Sequence, residues 1–336
     1  MRPKLSLDFS SVDAFWQIMD VYQSKEEPSS EQWEFFFNAH GYSTLTESEF
    51  SRIQLKDALD TAFNSKRVTS LNNSEGKYHG PMIKHFTEVA SRRQEIDSFL
   101  RLLDAKSDQI SDIVGAKTNA FIPEGKIVGE TRVAFAFFDR DARGYGTIVV
   151  DALLATELGD LLELLIAHEF HHQCRDTLLC YDKSEVKTPH KDLMWVVNQV
   201  QAEGIADQID KPHWFYGDNP VKAYSDLIKR FRQEVEMADE RIAMLDEIVE
   251  TGLAANDSFA EIGKRIRENL PISGHPLGYH MSKTIIDANL THKMIESVGN
   301  PFVFFELYNR ARSTQRKSTL SKDFMGLLHE LEECYC

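Results

Sequence analysis

Long apolar runs and an excess of basic residues are both missing from this sequence. The richest apolar run, LLELLIA at 161–167, is far shorter than the ~20 consecutive apolar residues that cross a bilayer. Lysine and arginine together number 38 against 53 acidic residues, which gives a formal net charge of −15. Because nucleic-acid binding needs clustered positive charge, we expect neither a membrane-spanning segment nor a nucleic-acid partner.

Cysteines are also few, and the first residues lack the pattern of a leader. Four cysteines among 336 residues are too sparse for a disulfide framework. Cys334 and Cys336 lie together at the tail, where a bond between the two is not expected. Acidic and polar residues interrupt any apolar segment within 1–20, so we predict no signal peptide. We therefore expect reduced thiols and a cytoplasmic protein.

The remaining pattern predicts a predominantly helical α+β protein in three parts. A chain of 336 residues exceeds the ~250–300 residues at which a single core usually stops growing. We predict helical lobes over 1–125 and 211–336, on either side of a core over 126–210. In the first lobe, Ser29 precedes Gln32 by three residues, which is the spacing of a capping box at a helix start.

Two further segments of the first 151 residues carry local signals. LNNSEGKYHGPM at 71–82 predicts a loop, and we expect a helix through 83–104 after it. TRVAFAFF and TIVVDA are rich in β-branched and aromatic residues, and the glycine-containing segment DRDARGYG separates them. The pattern predicts a β-hairpin over 131–151, and hence a small antiparallel sheet.

Residues 168–172 read HEFHH, which contains an H-E-x-x-H motif. His168 and His172 are four residues apart, so on a helix they share one face with their Cβ atoms ~5–6 Å apart. The two imidazoles can therefore close on one metal ion. His171 is an alternative ligand at the three-residue spacing from His168, but Glu169 would then lie outside the usual motif.

A second predicted helix, which begins at Thr188-Pro189 and stops at Pro212, offers a third ligand. Glu203 and Asp207 lie four apart on its apolar face, where carboxylates cost free energy unless each has a partner. We predict that Glu203 is a metal ligand and that Asp207 accepts the far N–H of a ligand histidine. Gly204 would permit close approach of these two helices at the metal. The alternative is a solvated acidic pair on an exposed helix.

HEFHH followed some thirty residues later by AEGIAD resembles the gluzincin clan of zinc metallopeptidases, and within it the poorly characterised zinc-dependent peptidases. The resemblance covers roughly residues 130–290. It implies a zincin-like centre in which three residues bind one Zn²⁺ per chain: His168, His172 and Glu203. It also implies that Glu169 is the general base and that the 131–151 hairpin presents an edge strand to the substrate. A long motif linking the two helices is absent here.

The chemistry of these residues agrees with that resemblance. Three protein ligands leave a tetrahedral zinc one position for water, whose pKa falls to ~7. Glu169 can take the water proton and pass it to the leaving amine. We therefore predict a metalloprotease, an endopeptidase or oligopeptidase that hydrolyses a peptide or related amide bond. The alternative is a non-catalytic zinc-binding or sensing protein, which has no need of Glu169.

The segment ISGHPLGYHMSKTIID at 272–287 predicts a loop that opens into a helix. Similar peptidases carry a tyrosine or histidine after the zinc helices that donates to the tetrahedral oxyanion, which makes Tyr279 and His280 the candidates. The alternative is an aromatic ring packed under the loop beside a satisfied histidine. Cys174 and Cys180 are expected to be buried thiols, because the better ligand set is already filled.

Overall fold

The computed structural model describes residues 4–64, 79–218 and 221–336. The chain divides into two compact units: unit 1 is Met1–Gly115 with Val128–Phe170, and unit 2 is Ala116–Ile127 with His171–Cys336. Helices dominate, and one small sheet accompanies them, so the predicted class, predominantly helical α+β, is confirmed. The predicted division into three parts stays a prediction. Within the described ranges, no helix has the length and apolar character needed to cross a bilayer.

Helices make up most of the chain before the H-E-x-x-H motif. They are α1 (Ser10–Gln23), α2 (Ser30–Asn38), α3 (His40–Ser48), α4 (Arg52–Phe63), α5 (His79–Ser91), α6 (Arg93–Ala105), α7 (Ser107–Asn119) and α8 (Ala152–Leu158). The predicted capping box is present, because Ser29 Oγ accepts from the Gln32 amide and the Gln32 side chain accepts from the Ser29 amide. The helix expected at 83–104 is two helices that meet at Arg92. Residues 71–78 of the predicted loop lie outside the described residues.

The sheet belongs to unit 1 and is mixed, with strand order β1-β2-β4-β3. Its strands are β1 (Lys4–Asp8), β2 (Glu130–Ala136), β3 (Ala142–Gly144) and β4 (Ile148–Asp151). β1 pairs with β2 in parallel, β2 pairs with β4 in parallel, and only β3 and β4 are antiparallel.

The predicted 131–151 hairpin and the wholly antiparallel sheet are therefore wrong. The segment DRDARGYG is not a single turn, because it contains strand β3, and the chain reverses twice between β2 and β4. The tight turn lies between β3 and β4, at Gly146, whose φ is +79°. There the Tyr145 amide donates to the Thr147 carbonyl at 2.9 Å. Glycine suits this left-handed conformation because it has no Cβ.

Unit 2 is built around one long helix. The helices that follow the motif helix α9 (Leu162–Asp176) are α10 (Lys191–Trp214), α11 (Ser225–Glu236), α12 (Ala238–Ala255), α13 (Phe259–Glu268), α14 (His275–Asp287), α15 (Thr291–Glu296), α16 (Pro301–Thr314) and α17 (Lys322–Tyr335). Helix α10 packs against α13, α14 and α16, so most of its length is buried.

The predicted ends of α10 need correction. A 3₁₀ turn occupies Thr188–His190, and the α-helix begins only after it. Pro212 lies inside the helix and does not stop it. In the last turn a proline removes the bond that its own amide would make, but the next bonds survive, and the Phe215 amide still donates to the Lys211 carbonyl at 2.8 Å.

One cysteine pair also differs from expectation. Cys180 and Cys336 form a disulfide in unit 2, with Cα atoms 5.2 Å apart, although 156 residues separate them in sequence. The expectation of reduced thiols is wrong for this pair, because only the packing of α17 in the fold brings the two together. Cys174 is a buried thiol, as expected, and Cys334 is an exposed one.

Candidate metal centre

Helix α9 carries the motif and is continuous, so the four-residue spacing of its histidines holds. His168 is buried, with 3 % of its surface exposed. The His172 side chain is 21 % exposed, which leaves part of its ring accessible. In unit 2, the last turn of α9 is tied to α10 through Arg175, which donates to Gln201 Oε1 at 2.6 Å and to Asn198 Oδ1 at 2.9 Å.

Glu203 lies on α10 at the place where the third ligand is needed. Its Oε2 atom is 3.2 Å from His172 Nε2. Its other oxygen accepts a 2.8 Å hydrogen bond from the Gln199 side chain, four residues earlier on the same helix. His172 and Glu203 both belong to unit 2, and they are two of the three ligands that the sequence predicts.

These distances suit a zinc ion. Two ligands ~2.0–2.1 Å from a tetrahedral zinc are themselves about 3.4 Å apart, close to the separation of the His172 and Glu203 atoms. Two imidazoles and one carboxylate are also a donor set that zinc accepts, and they leave a fourth position for water or substrate. The His172 and Glu203 side chains of unit 2 therefore fit the ion that the sequence predicts.

Gly204, next to Glu203, explains how α10 can lie against α14. An added Cβ at Gly204 would overlap the Gly278 carbonyl, and one at Gly278 would overlap the Val200 carbonyl. Ser282 then donates to the Gly204 carbonyl at 2.6 Å, a bond that needs the same close approach. The close approach that Gly204 permits is therefore to α14, and not between the two helices at the metal as the sequence predicted.

His275, the first residue of α14, is a candidate that sequence reasoning missed. Its Nδ1 atom is 3.4 Å from Glu203 Oε2 and 3.1 Å from Asp207 Oδ2. Burial opposes protonation, but the two carboxylates raise the pKa of His275 above its usual value. The sequence does show a histidine between Gly274 and Pro276. Its contact with Glu203 depends on where α14 crosses α10, which the sequence does not reveal.

Asp207 has partners on two sides. Its Oδ1 and Oδ2 atoms lie 3.2 and 3.1 Å from His275 Nδ1, and Oδ1 is also 3.2 Å from Lys211 Nζ. Lys211 also contacts Asp210 Oδ2 at 2.7 Å. The predicted role of Asp207 behind the ligands stays a prediction.

Glu169 lies beside the sheet of unit 1. A Cβ added at Gly144 would stand 3.2 Å from Glu169 Oε2, so the carboxylate rests against the end of β3. β3 is at the edge of the described sheet. Within the 131–151 segment, the strand at the edge of the sheet is therefore the short β3, and its contact with substrate stays a prediction.

Tyr279 and His280 point to different surroundings. The Tyr279 ring is buried and stacks on Tyr216 with centroids 5.8 Å apart, and burial raises its pKa above the usual value. His280 Nε2 lies 3.5 Å from Asp239, its ring packs near Tyr308, and burial lowers its pKa. Among the described residues of α14, His275 contacts Glu203. His280 instead faces Asp239 of α12 and Tyr308 of α16.

His171, the alternative ligand, is accounted for differently. It is buried, and its Nε2 atom lies 3.2 Å from the Phe121 carbonyl oxygen. None of the metal-type groupings found among the described residues includes it. His171 therefore contributes to the packing of unit 2, whereas the next residue, His172, contacts Glu203.

Comparison with known proteins adds one finding. The model of a family described as "Putative zinc dependent peptidase (DUF5700)" matches residues 33–317, which is well over half of the chain. Neither the curated proteins nor the solved structures include a match.

Proposed function

The chain belongs to this putative zinc dependent peptidase family, and on that premise we propose that it hydrolyses a peptide or related amide bond at one zinc ion. We assign the ion to His168, His172 and Glu203, the ligand set of gluzincin peptidases. The observation that supports this most strongly is the 3.2 Å separation of the His172 nitrogen and the Glu203 oxygen, two ligand atoms supplied by different helices.

Each remaining residue of the centre has a task in this proposal. When bound, zinc supplies a Lewis acid that makes water nucleophilic near neutral pH. Glu169 accepts the proton of the attacking water and returns it to the leaving nitrogen. Asp207 holds a ligand histidine in the orientation and tautomer that metal binding needs. Tyr279 or His280 donates to the oxyanion, and the edge strand β3 aligns the peptide.

The substrate in this proposal is a peptide in extended conformation. β3 is an edge strand, and an edge strand offers unpaired amides and carbonyls to an added strand. Its end at Gly144 lies against Glu169, so a peptide paired with β3 would pass the proposed general base. On this basis we propose an endopeptidase or oligopeptidase. Its cytoplasmic location stays a prediction from the sequence.

Metal analysis of the purified protein tests the zinc site before any substrate is known. We expect about one zinc per chain, and most of it lost in His172→Ala and in Glu203→Ala. His292→Ala and Glu296→Ala are matched controls, because both side chains are exposed on α15 and should leave zinc content unchanged. A wild type that contains no zinc when purified without chelator, and takes none up afterwards, would refute the site.

A peptide library then tests the reaction. The zinc-loaded protein should cleave members of the library at pH ~6–8, where water at such a centre becomes nucleophilic. Chelation should stop cleavage, and added zinc should restore it. A library left intact by protein that holds its zinc favours the non-catalytic binding protein over the hydrolase.

A further inference from the structure

Lys211 is a buried cation that the proposed reaction does not use. Only 7 % of the residue is exposed. Its ammonium lies 2.7 Å from Asp210 Oδ2 and 3.2 Å from Asp207 Oδ1. The rings of Trp214 and Phe215 also face it, with centroids at 5.3 and 5.0 Å. A charge removed from water costs free energy unless it is paired, so both the lysine and the two aspartates depend on this contact.

One of these carboxylates, Asp207, also belongs to a group of side chains that can bind a metal ion. Ligand atoms of Glu203, Asp207 and His275 lie within 4.8 Å of one another, and two carboxylates with an imidazole are a set that divalent ions bind. Hydrolases with two metal ions hold them ~3.5–4 Å apart in such clusters. Glu203 belongs to the proposed zinc site as well, so a second ion bound here would be its direct neighbour.

Lys211 already contacts Asp207, one of the carboxylates that a second cation would need as a ligand. Asp207 Oδ1 contacts both the Lys211 ammonium and His275 Nδ1, and Oδ2 contacts His275 Nδ1 as well. Both aspartates are 0 % exposed, so solvent does not screen their charge. At low dielectric a fixed ammonium repels a neighbouring dication strongly. The lysine is therefore both a partner for the carboxylates and an obstacle to a metal.

We propose that the Lys211 ammonium takes the place of a second metal ion, so that the centre holds one divalent ion and not two. This inference rests on the proposed zinc site. With one zinc, the charge of the three carboxylates Glu203, Asp207 and Asp210 is balanced by the ion and by Lys211. Lys211 touches no substrate and is a positioning residue: it keeps Asp207 directed at its histidine partner and away from a metal.

The number of ions per chain tests this inference. Lys211→Met removes the charge and keeps an unbranched apolar stem, and Lys211→Arg is the matched control that keeps the charge. Each protein is equilibrated with excess zinc, and separately with manganese, passed through a desalting column and analysed for metal. We expect one ion in wild type and in Lys211→Arg, and two in Lys211→Met.

Every other result counts against the inference. One ion in a folded Lys211→Met protein, or two in wild type, overturns it and leaves the zinc proposal intact. No ion in wild type refutes the zinc site, and this inference falls with it. If Lys211→Met does not fold in metal-free buffer, it is refolded with excess zinc. Recovery with two ions supports the exchange of ammonium for metal, and failure to recover overturns it.

Discussion

Glu203, Asp207 and Asp210 are carboxylates of one helix, yet their neighbours give them different tasks. Glu203 lies between His172 and His275, Asp207 between His275 and Lys211, and Asp210 against Lys211. A carboxylate bound to an ammonium has less electron density to offer a metal than one facing imidazoles. This difference is why we assign the ligand role to Glu203 alone.

Substitutions in α14 separate residues that act on the oxyanion from those that act on the metal. Tyr279→Phe or His280→Ala should lower kcat by ~10²–10³ for the residue that donates to the oxyanion, with zinc content unchanged. His275→Ala should weaken zinc binding instead, because His275 contacts Glu203 directly. Steady-state kinetics with a cleaved peptide and metal analysis give the two readouts. If neither Tyr279→Phe nor His280→Ala changes kcat, the oxyanion donor lies elsewhere.

The ligand spacing was predictable at the residue scale because it is local. A four-residue interval places His168 and His172 on one face of any helix, whatever surrounds it. The position of His275 was not predictable, since it depends on where α14 crosses α10. Lys211 was likewise invisible in the sequence, because a lysine four residues after an aspartate is common on exposed helices and only burial makes it unusual here.

At the scale of elements, the close contact of α10 with α14 should be sensitive to a single methyl group. Gly204→Ala would force the helices apart, because the new Cβ overlaps the backbone of Gly278. We expect a loss of ~1–3 kcal/mol in the free energy of unfolding, and weaker zinc binding. Gly326→Ala on α17 is the control: nothing lies within 4 Å of its added Cβ, so it should be neutral or stabilising. Equal stability of the two variants would contradict this packing.

A buried histidine joins α5 to the end of β4 in unit 1 and makes stability depend on pH. His85 Nε2 lies 2.8 Å from Asp151 Oδ2, with 4 % and 0 % of these residues exposed. Burial opposes protonation of His85, but Asp151 raises its pKa above the usual value, with Arg140 opposing and Asp139 adding to that effect.

Because the folded pKa of His85 is the higher one, protonated His85 stabilises the fold. This contribution is complete below the unfolded pKa of ~6.5 and is lost as pH rises through the folded value. Urea unfolding of wild type and His85→Gln between pH ~5.5 and ~8.5 measures it. We expect the difference in unfolding free energy to shrink as pH rises, whereas the exposed His292→Gln should show no such trend. A difference that stays constant with pH would contradict the ion pair.

The elements themselves were partly predictable. The sequence indicates strands at β2 and β4. It does not indicate that they pair in parallel, because β3 lies within a segment rich in turn residues. β1 was missed altogether: KLSLD is short, and a parallel partner 126 residues away along the register gives no local sign. Helix starts with side-chain caps, such as Ser29, were predictable since a cap is a contact between neighbours in sequence.

For the whole molecule, the disulfide is the feature that bears on where the protein works. Disulfides persist in oxidising compartments and are rare in the cytoplasm, so the Cys180–Cys336 bond and the predicted cytoplasmic location point in opposite directions. The bond joins Cys336, just after α17, to Cys180 in the segment that follows α9.

Thiol counting and unfolding test the bond directly. Unfolded but unreduced protein should expose two reactive thiols, Cys174 and Cys334, and reduction should expose four. Cys180→Ser should lower the free energy of unfolding by ~2–5 kcal/mol, because the cross-link constrains the unfolded chain. Cys334→Ser, an exposed control, should leave it unchanged. Four reactive thiols in protein purified under oxidising conditions would contradict the pairing.

The central claim, that this chain is a zinc-dependent hydrolase, is tested most directly by Glu169→Gln. Glutamine keeps the size of the side chain beside Gly144 but cannot accept the water proton. The turnover of one cleaved peptide is compared between wild type and the variant, both carrying the same measured amount of zinc. We predict that zinc stays bound and turnover falls by at least ~10²–10⁴. A Glu169→Gln protein that cleaves the peptide as fast as wild type would contradict the account.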